Sequence, residues 1–354
     1  GSKIADYLIK PVNPNQILIA LKKNIHKREI VTEVTQSSYR QDFQNIALQM
    51  MACRNFDDWV AVYRRLVKWE LELSSQMTEM LQAQKEDADN GFAKYIQRHY
   101  MDWMSGSDDR PLMSNRLFQQ KVFPLLNEKE SVFLIVIDNF RYDQWRMLAD
   151  ELSDSFDIEE QLYMSILPTA TQYARNAIFG GLMPDEIQKM FPDLWVDEGE
   201  EEGKNLNEEQ LIATQIQRYR RHDTFSYHKI NDSQSMERLL ARFNELLRYD
   251  LNVVVVNFID MLSHTRTESR MMRELANNES AYRSITQSWL RHSEIAELFR
   301  ILSATDCKVV VTTDHGCIRT NRPLKIIGDR NTNTNLRYKL GKNLTYDARQ
   351  VFEI

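Results

Sequence analysis

The sequence predicts an α/β domain, with a layered parallel sheet, preceded by an all-α helical bundle. Three observations carry this expectation. Val132–Ile137, Val253–Val256 and Val309–Val311 are unbroken apolar runs, the texture of strands buried on both faces of a parallel sheet. Helix-forming stretches separate them, and strands alternating with helices build α/β layers. Residues 30–104 contain no Pro and a single Gly, Gly91, with apolar residues recurring at spacings of three and four.

Composition narrows the class further. Ten Gly and eight Pro in 354 residues exclude collagenous and Pro/Gly-rich disordered chains. Cys53, Cys307 and Cys317 form no CxxC pair, which fits a reducing, cytoplasmic setting and argues against a disulfide framework or a cysteine zinc site. No run reaches the roughly 18 apolar residues a membrane span needs, so no membrane insertion is expected. A net charge of −6, from 45 Lys and Arg against 51 Asp and Glu, argues against a generic nucleic-acid coat but leaves room for a local basic pocket.

At the N-terminus, Tyr7-Leu8-Ile9 reads as a short strand ended by Lys10-Pro11. Asn13 and Pro14 then open a helix with Ile17, Leu18, Ala20 and Leu21 on one face. One strand and one helix cannot make a domain, so their partners are expected upstream. The wording D-Y-L-I-K-P resembles the end of a response-regulator receiver domain. That resemblance implies that Lys10 contacts a phosphoryl group, that the phosphoacceptor Asp lies upstream, and that a histidine kinase is a partner. Residues 1–28 are read as this receiver remnant.

Residues 29–110 are expected to form three or so antiparallel helices. Ile46, Leu48, Met51, Trp59, Tyr63, Leu66, Trp69, Leu71, Met77, Met80 and Leu81 mark the apolar positions. Joints are expected at Cys53-Arg54-Asn55, where Asn55 suits a helix cap, and at Asp87–Gly91. His26 and His99 read as surface residues. The linker Met104–Pro111 closes the unit.

Residues 111–354 carry the chemistry. In open α/β sheets ligands collect beyond the carboxyl ends of strands. Asp138 directly follows the first apolar run. Asp260 follows the second, with His264 four residues on. Asp314-His315-Gly316 follows the third. Carboxylate oxygen and imidazole nitrogen suit Zn²⁺, with Mn²⁺ an alternative. The fourth element is L-P-T-A-T-Q-Y-A-R-N-A-I-F-G-G-L-M-P, residues Leu167–Pro184. Pro168 is expected to close a short strand, with Thr171 near the start of a helix ending at Gly180-Gly181. A hydroxyl there is either a cap or a nucleophile whose phosphate partner the helix dipole favours. His222 and His228 follow the acidic run Asp197–Glu202. They suit a metal or substrate, or more simply a solvated loop and a helix edge.

Asp after a strand, P-T-x-T at a helix start, D-x-x-x-H and D-H-G, in that order, resemble the alkaline-phosphatase superfamily. The wording I-D-N-F-R-Y-D-Q-W and L-P-T-A-T-x-Y-A-R is similar to a PglZ domain. Receiver, helical bundle and PglZ domain in series resemble a PorX-type response regulator, a family that governs type IX secretion. The resemblance implies a three-layer alkaline-phosphatase-like domain holding two zinc ions. One would take Asp138, Thr171, Asp314 and His315; the other would take Asp260 and His264. The family's second zinc also uses a late His, and no His follows His315 here. Either the chain is truncated at its C-terminus as well, the preferred expectation, or the second site is incomplete; in both cases the second zinc is expected to be absent or loose. Thr171 is the implied nucleophile, passing through a phospho-threonine. Arg175, one turn on, is positioned by spacing to reach a phosphate oxygen or to lie on a helix surface; Arg141 is a weaker candidate.

Two functions fit. One is a zinc-dependent phosphodiesterase or phosphatase serving as the output of a two-component regulator, acting on a phosphate ester such as an oligonucleotide or cyclic nucleotide. The other is a docking protein whose metal-bearing domain binds a secretion-motor cytoplasmic segment or a sigma factor. A homodimer follows by analogy with receiver outputs.

Overall fold

The structure, a computed structural model, describes residues 14–73, 77–197, 203–320 and 322–354. The expected strand at Tyr7–Ile9 and Lys10-Pro11 lie outside the described residues. The chain divides into two compact units, Gly1–Asp109 and Arg110–Ile354.

The first unit holds α1 (Pro14–Ala52), α2 (Phe56–Glu72) and α3 (Thr78–Met104). The helix opened at Pro14 runs on without a break at residue 28, through 39 residues. The joint at Cys53–Asn55 is present. Asn55 caps α2 by accepting from the Asp58 amide, and the Asp58 carboxylate accepts from the Asn55 amide, two orphan donors satisfied reciprocally. The joint expected at Asp87–Gly91 is absent, because α3 passes straight through it. Gly91 instead makes room for Trp59: a Cβ there would lie 2.6 Å from the indole. α2 ends earlier, with Leu73 as its C-cap, and α3 begins at Thr78.

Tyr39, Ile46, Val62, Leu66, Trp69, Met77, Leu81 and Ala88 form the core of this unit. Leu48, Met51 and Tyr63, expected on the apolar stripe, are exposed. His99 is no lone surface residue, for its ring lies 4.5 Å from Tyr95 and stacks at 6.0 Å on Trp103. The side chain of His26 lies outside the described residues.

The second unit is a four-stranded sheet between two helical layers. Its strands are β1 (Ser131–Ile137), β2 (Phe225–Ile230), β3 (Leu251–Val256) and β4 (Cys307–Thr312). Its helices are α4 (Tyr142–Leu152), α5 (Thr171–Gly180), α6 (Pro184–Met190), α7 (Glu208–Arg218), α8 (Ser233–Ala241), α9 (Phe243–Leu246), α10 (Phe258–Glu268), α11 (Arg270–Leu275), α12 (Glu279–His292) and α13 (Glu294–Ser303). The strand order is β2-β3-β1-β4, every pair parallel. Alternate residues of β1 feed opposite cores. Val132, Leu134 and Val136 meet Ile178, Phe179, Leu211 and Ile212 of α5 and α7. Phe133, Ile135 and Ile137 meet Leu148, Met236, Leu239, Leu290 and Leu298 of α4, α8, α12 and α13. Burial on both faces explains the continuous apolar wording.

β2 was not expected. F-S-Y-H-K-I mixes polar and apolar residues because this is a half-buried edge strand. It places His228 on the sheet, where the ring nitrogen contacts Ser226 Oγ at 3.1 Å, rather than on a helix edge. His222 is exposed outside any element. The strand expected before Pro168 is also absent; Met164 makes only an isolated bridge to Met113. Among the described residues no helix is long and apolar enough to cross a membrane.

Gly91 gives a test in which two effects oppose. Helix propensity favours replacing it, whereas overpacking against buried Trp59 costs about 1–3 kcal/mol. Gly91→Val should lower the urea midpoint of the first unit, read by tryptophan fluorescence. An unchanged or higher midpoint would show that the indole yields freely.

Candidate metal centre

Parallel register brings three strand ends to one edge. β1 lies between β3 and β4, with Ile137 opposite Val256 and Val136 opposite Thr312. Asp138 therefore leaves the sheet beside the start of α10 and beside Thr313-Asp314-His315. Asp260 falls in the first turn of α10. The turn after Asp138 is made by Asn139 in the left-handed region, φ 58°, a conformation Asn tolerates better than most residues.

Asp138, Asp314 and His315 are buried and bring one ligand atom each within 4.8 Å of one another. Thr171 supplies the fourth group. Its Oγ1 lies 3.1 Å from His315 Nε2 and 3.4 Å from Asp138 Oδ1. The cap of α5 is Ala170, which makes no side-chain cap bond. Thr171 is thus the first helical residue, and its hydroxyl turns to the acidic cluster rather than back onto the helix.

The two carboxylates are held differently. Asp314 Oδ1 accepts from the amides of Asn139 (3.3 Å) and His315 (3.0 Å). Asp314 Oδ2 is buried without a hydrogen-bond partner. Asp138 Oδ2 accepts from Arg175 Nη1 at 2.8 Å, while Oδ1 faces Thr171 and His315. Burial pushes both acids up, and for Asp138 the Asp314 charge adds to this. Burial, helped by the Arg337 charge, pushes His315 down, which keeps its imidazole neutral as a metal ligand must be. An orphaned carboxylate oxygen, two crowded acids, a neutral imidazole and a hydroxyl fit a divalent cation of the zinc type. Such an ion would relieve the repulsion and satisfy Asp314 Oδ2.

A family described as the BREX system PglZ alkaline phosphatase-like domain matches residues 117–354. The chain belongs to this family. A second match, described as the PorX response regulator linker domain, covers residues 29–104. Linker followed by PglZ domain is the arrangement of a PorX-type regulator. No curated protein matches the chain.

Within the PglZ domain the second pair is less complete. His264 Nε2 lies 3.4 Å from Asp260 Oδ2, one helical turn apart on α10, and the imidazole is 69% exposed. Asp260 Oδ1 accepts from Asn139 Nδ2 at 3.0 Å, so one residue ties Asp260 to Asp314. His292, at the end of α12, bonds to the Ser288 carbonyl and is exposed.

Arg175 sits elsewhere than either expectation for it. It is neither on the surface nor open to a phosphate. At 1% exposure it donates to Asp138, to Glu208 Oε1 at 2.6 Å and to Asn257 Oδ1 at 3.2 Å. Its neighbour Glu208 also takes Tyr227 and Lys229. Arg141 is likewise committed, to Asp143 and Glu279. Sequence reasoning missed Asn139, Glu208, Asn257 and Arg337. Asn139 was signalled by I-D-N. Glu208 stands 33 residues from Arg175, and nothing in its own wording marks the pairing.

Removing one partner from a buried ion pair costs about 3–5 kcal/mol, whereas a surface arginine rarely matters by more than about 0.5 kcal/mol. Arg175→Met should therefore destabilise the metal-free PglZ domain by about the larger amount in chemical denaturation, and adding Glu208→Gln should recover part of it. A near-neutral single variant would refute the buried role.

Proposed function

We propose that the PglZ domain is a metal-dependent phosphodiesterase or phosphatase in which Thr171 is the nucleophile. Linker and phosphatase-like domain together make a response regulator with a phosphatase-like output. The observation that carries the finer reading is the Thr171 hydroxyl, held between His315 Nε2 and Asp138 Oδ1 beside the orphaned Asp314 Oδ2.

Asp138, Thr171, Asp314 and His315 would hold a first zinc, and Asp260 and His264 would contribute to a second. When bound, zinc supplies Lewis-acid stabilisation of phosphoryl charge and lowers the pKa of the oxygens it touches. The chain's own residues do the rest. Arg175 and the two amides on Asp314 Oδ1 fix the orientation of both acids and leave Asp138 Oδ1 facing Thr171. Asp138 Oδ1 is the group placed to accept the Thr171 proton, since the lone pair of His315 Nε2 would hold the metal. The first turn of α5 carries no side-chain cap, and its amides favour an anion in front of Thr171. Attack by Thr171 on phosphorus would expel the ester oxygen and leave a phospho-threonine, which water then hydrolyses.

We further propose the domain limits 1–28, 29–110 and 111–354, with a receiver and its kinase upstream of the linker. An oligonucleotide or cyclic nucleotide is the proposed substrate. Secretion control, a dimeric state and partner docking belong to the same proposal.

Thr171→Val tests the nucleophile. Hydrolysis of a bis-nitrophenyl phosphate should fall by at least about a thousandfold, while the first metal is retained by Asp138, Asp314 and His315. Persisting hydrolysis would remove Thr171 from the role. Elemental analysis of zinc-reloaded protein addresses the second site. His264→Ala should lower zinc per chain from two towards one, and an unchanged content would strike His264 from the ligands.

A further inference from the structure

We infer that Arg337 is a phosphate-binding residue of the Thr171 site, filling the role for which Arg175 is not free. This rests on the proposed phosphoryl chemistry and names the side chain that receives the substrate anion.

Arg337 lies in the segment after β4, which among its described residues has no helix or strand. Its Nη1 is within bonding distance of three acceptors: the Thr169 carbonyl at 2.6 Å, the Gly316 carbonyl at 2.8 Å and His315 Nδ1 at 3.2 Å. One amino group has two hydrogens, so these three cannot all be served. His315 Nδ1 also lies 3.2 Å from the Gly316 carbonyl. When Nδ1 carries its proton and donates to Gly316, Nε2 presents a lone pair towards Thr171 and Asp138, and Arg337 keeps the two carbonyls. Those carbonyls belong to the two chain segments that carry Thr171 and His315.

Two features turn this brace into a binding group. First, Nε and Nη2 of Arg337 make no hydrogen bond among the described residues, and no described carboxylate lies within 4.0 Å. The guanidinium is exposed and carries an uncompensated charge on the far side of the His315 ring from Thr171. The free edge is the fork that matches phosphate oxygens. Second, its surroundings attract anions. From Cys317 to Ile354 there are eight Lys or Arg against three Asp or Glu, a net charge of +5, whereas the remaining 316 residues carry −11. The segment is seated at the site by the next residue: Tyr338 packs edge-on against Tyr173, at 5.6 Å, two positions after Thr171.

The probe is inorganic phosphate, titrated calorimetrically into the zinc-reloaded full chain. Arg337→Met should weaken phosphate binding by about ten- to a hundredfold, the worth of a charge-assisted contact, with zinc per chain unchanged. Arg337→Lys should recover part of the loss, since it keeps the charge and gives up the fork. Phosphate binding equal to that of the unaltered protein would overturn the assignment, as would no phosphate binding by the unaltered protein. Zinc lost together with phosphate in Arg337→Met would also overturn it, reducing Arg337 to a support for His315. Thr171→Val separates the two claims. Retained hydrolysis there refutes the nucleophile, while the phosphate titration still decides Arg337.

Discussion

The Arg175 guanidinium, 1% exposed and shared between Asp138 and Glu208, is the interaction on which the site depends. Asp138 and Asp314 are both buried, and two carboxylates in that setting repel. One fixed positive charge, 2.8 Å from Asp138 and 3.8 Å from Asp314, offsets part of this in the protein alone. Arg175 in turn needs a counter-charge, which Glu208 supplies from the start of α7. The chain of charges thus runs from α7 through α5 to the end of β1, and it takes up Asp138 Oδ2 while Oδ1 faces Thr171 and His315.

That assignment works only because the sheet delivers its ends in register. β1 is flanked by β3 and β4, and Val132–Ile137, Val253–Val256 and Val309–Val311 are their apolar runs. A shift of one residue in such strands would exchange the two cores and carry Asp138 to the other face. The large aromatic and branched residues packed against alternate β1 positions make such a slip costly. The placement of Asp138, Asp314 and His315 is inherited from core packing rather than from the loops that carry them.

The sequence made β1, β3 and β4 and the acids that follow them legible, because each carries a run of three or more branched apolar residues directly before its ligand segment. Edge strand β2 was not legible, since Ser226, His228 and Lys229 interrupt its apolar residues, whereas edge strand β4 keeps three valines in a row. Gly91 was misread as a joint because a glycine admitted for close contact with Trp59 looks the same as one admitted for a turn. Arg175 was misread for a different reason. Spacing placed it one turn after Thr171 and could not say which way a long side chain would go, and its partner Glu208 is remote in sequence. Thr171 was left open between cap and nucleophile, and the cap proved to be Ala170.

The two halves of the centre differ in how they are built. Asp138, Asp314 and His315 are buried and oriented by amides and by Arg175. Asp260 is partly exposed, its companion His264 mostly so. What joins them is Asn139. Its amide donates to Asp314 and its side chain donates to Asp260, from a left-handed turn that only this register of β1 presents. A displacement of Asp260 is therefore felt at Asp314 through one residue. A buried, tightly braced group of side chains and a more exposed pair, linked by a single side chain, leave the Asp260–His264 side the easier one to remodel.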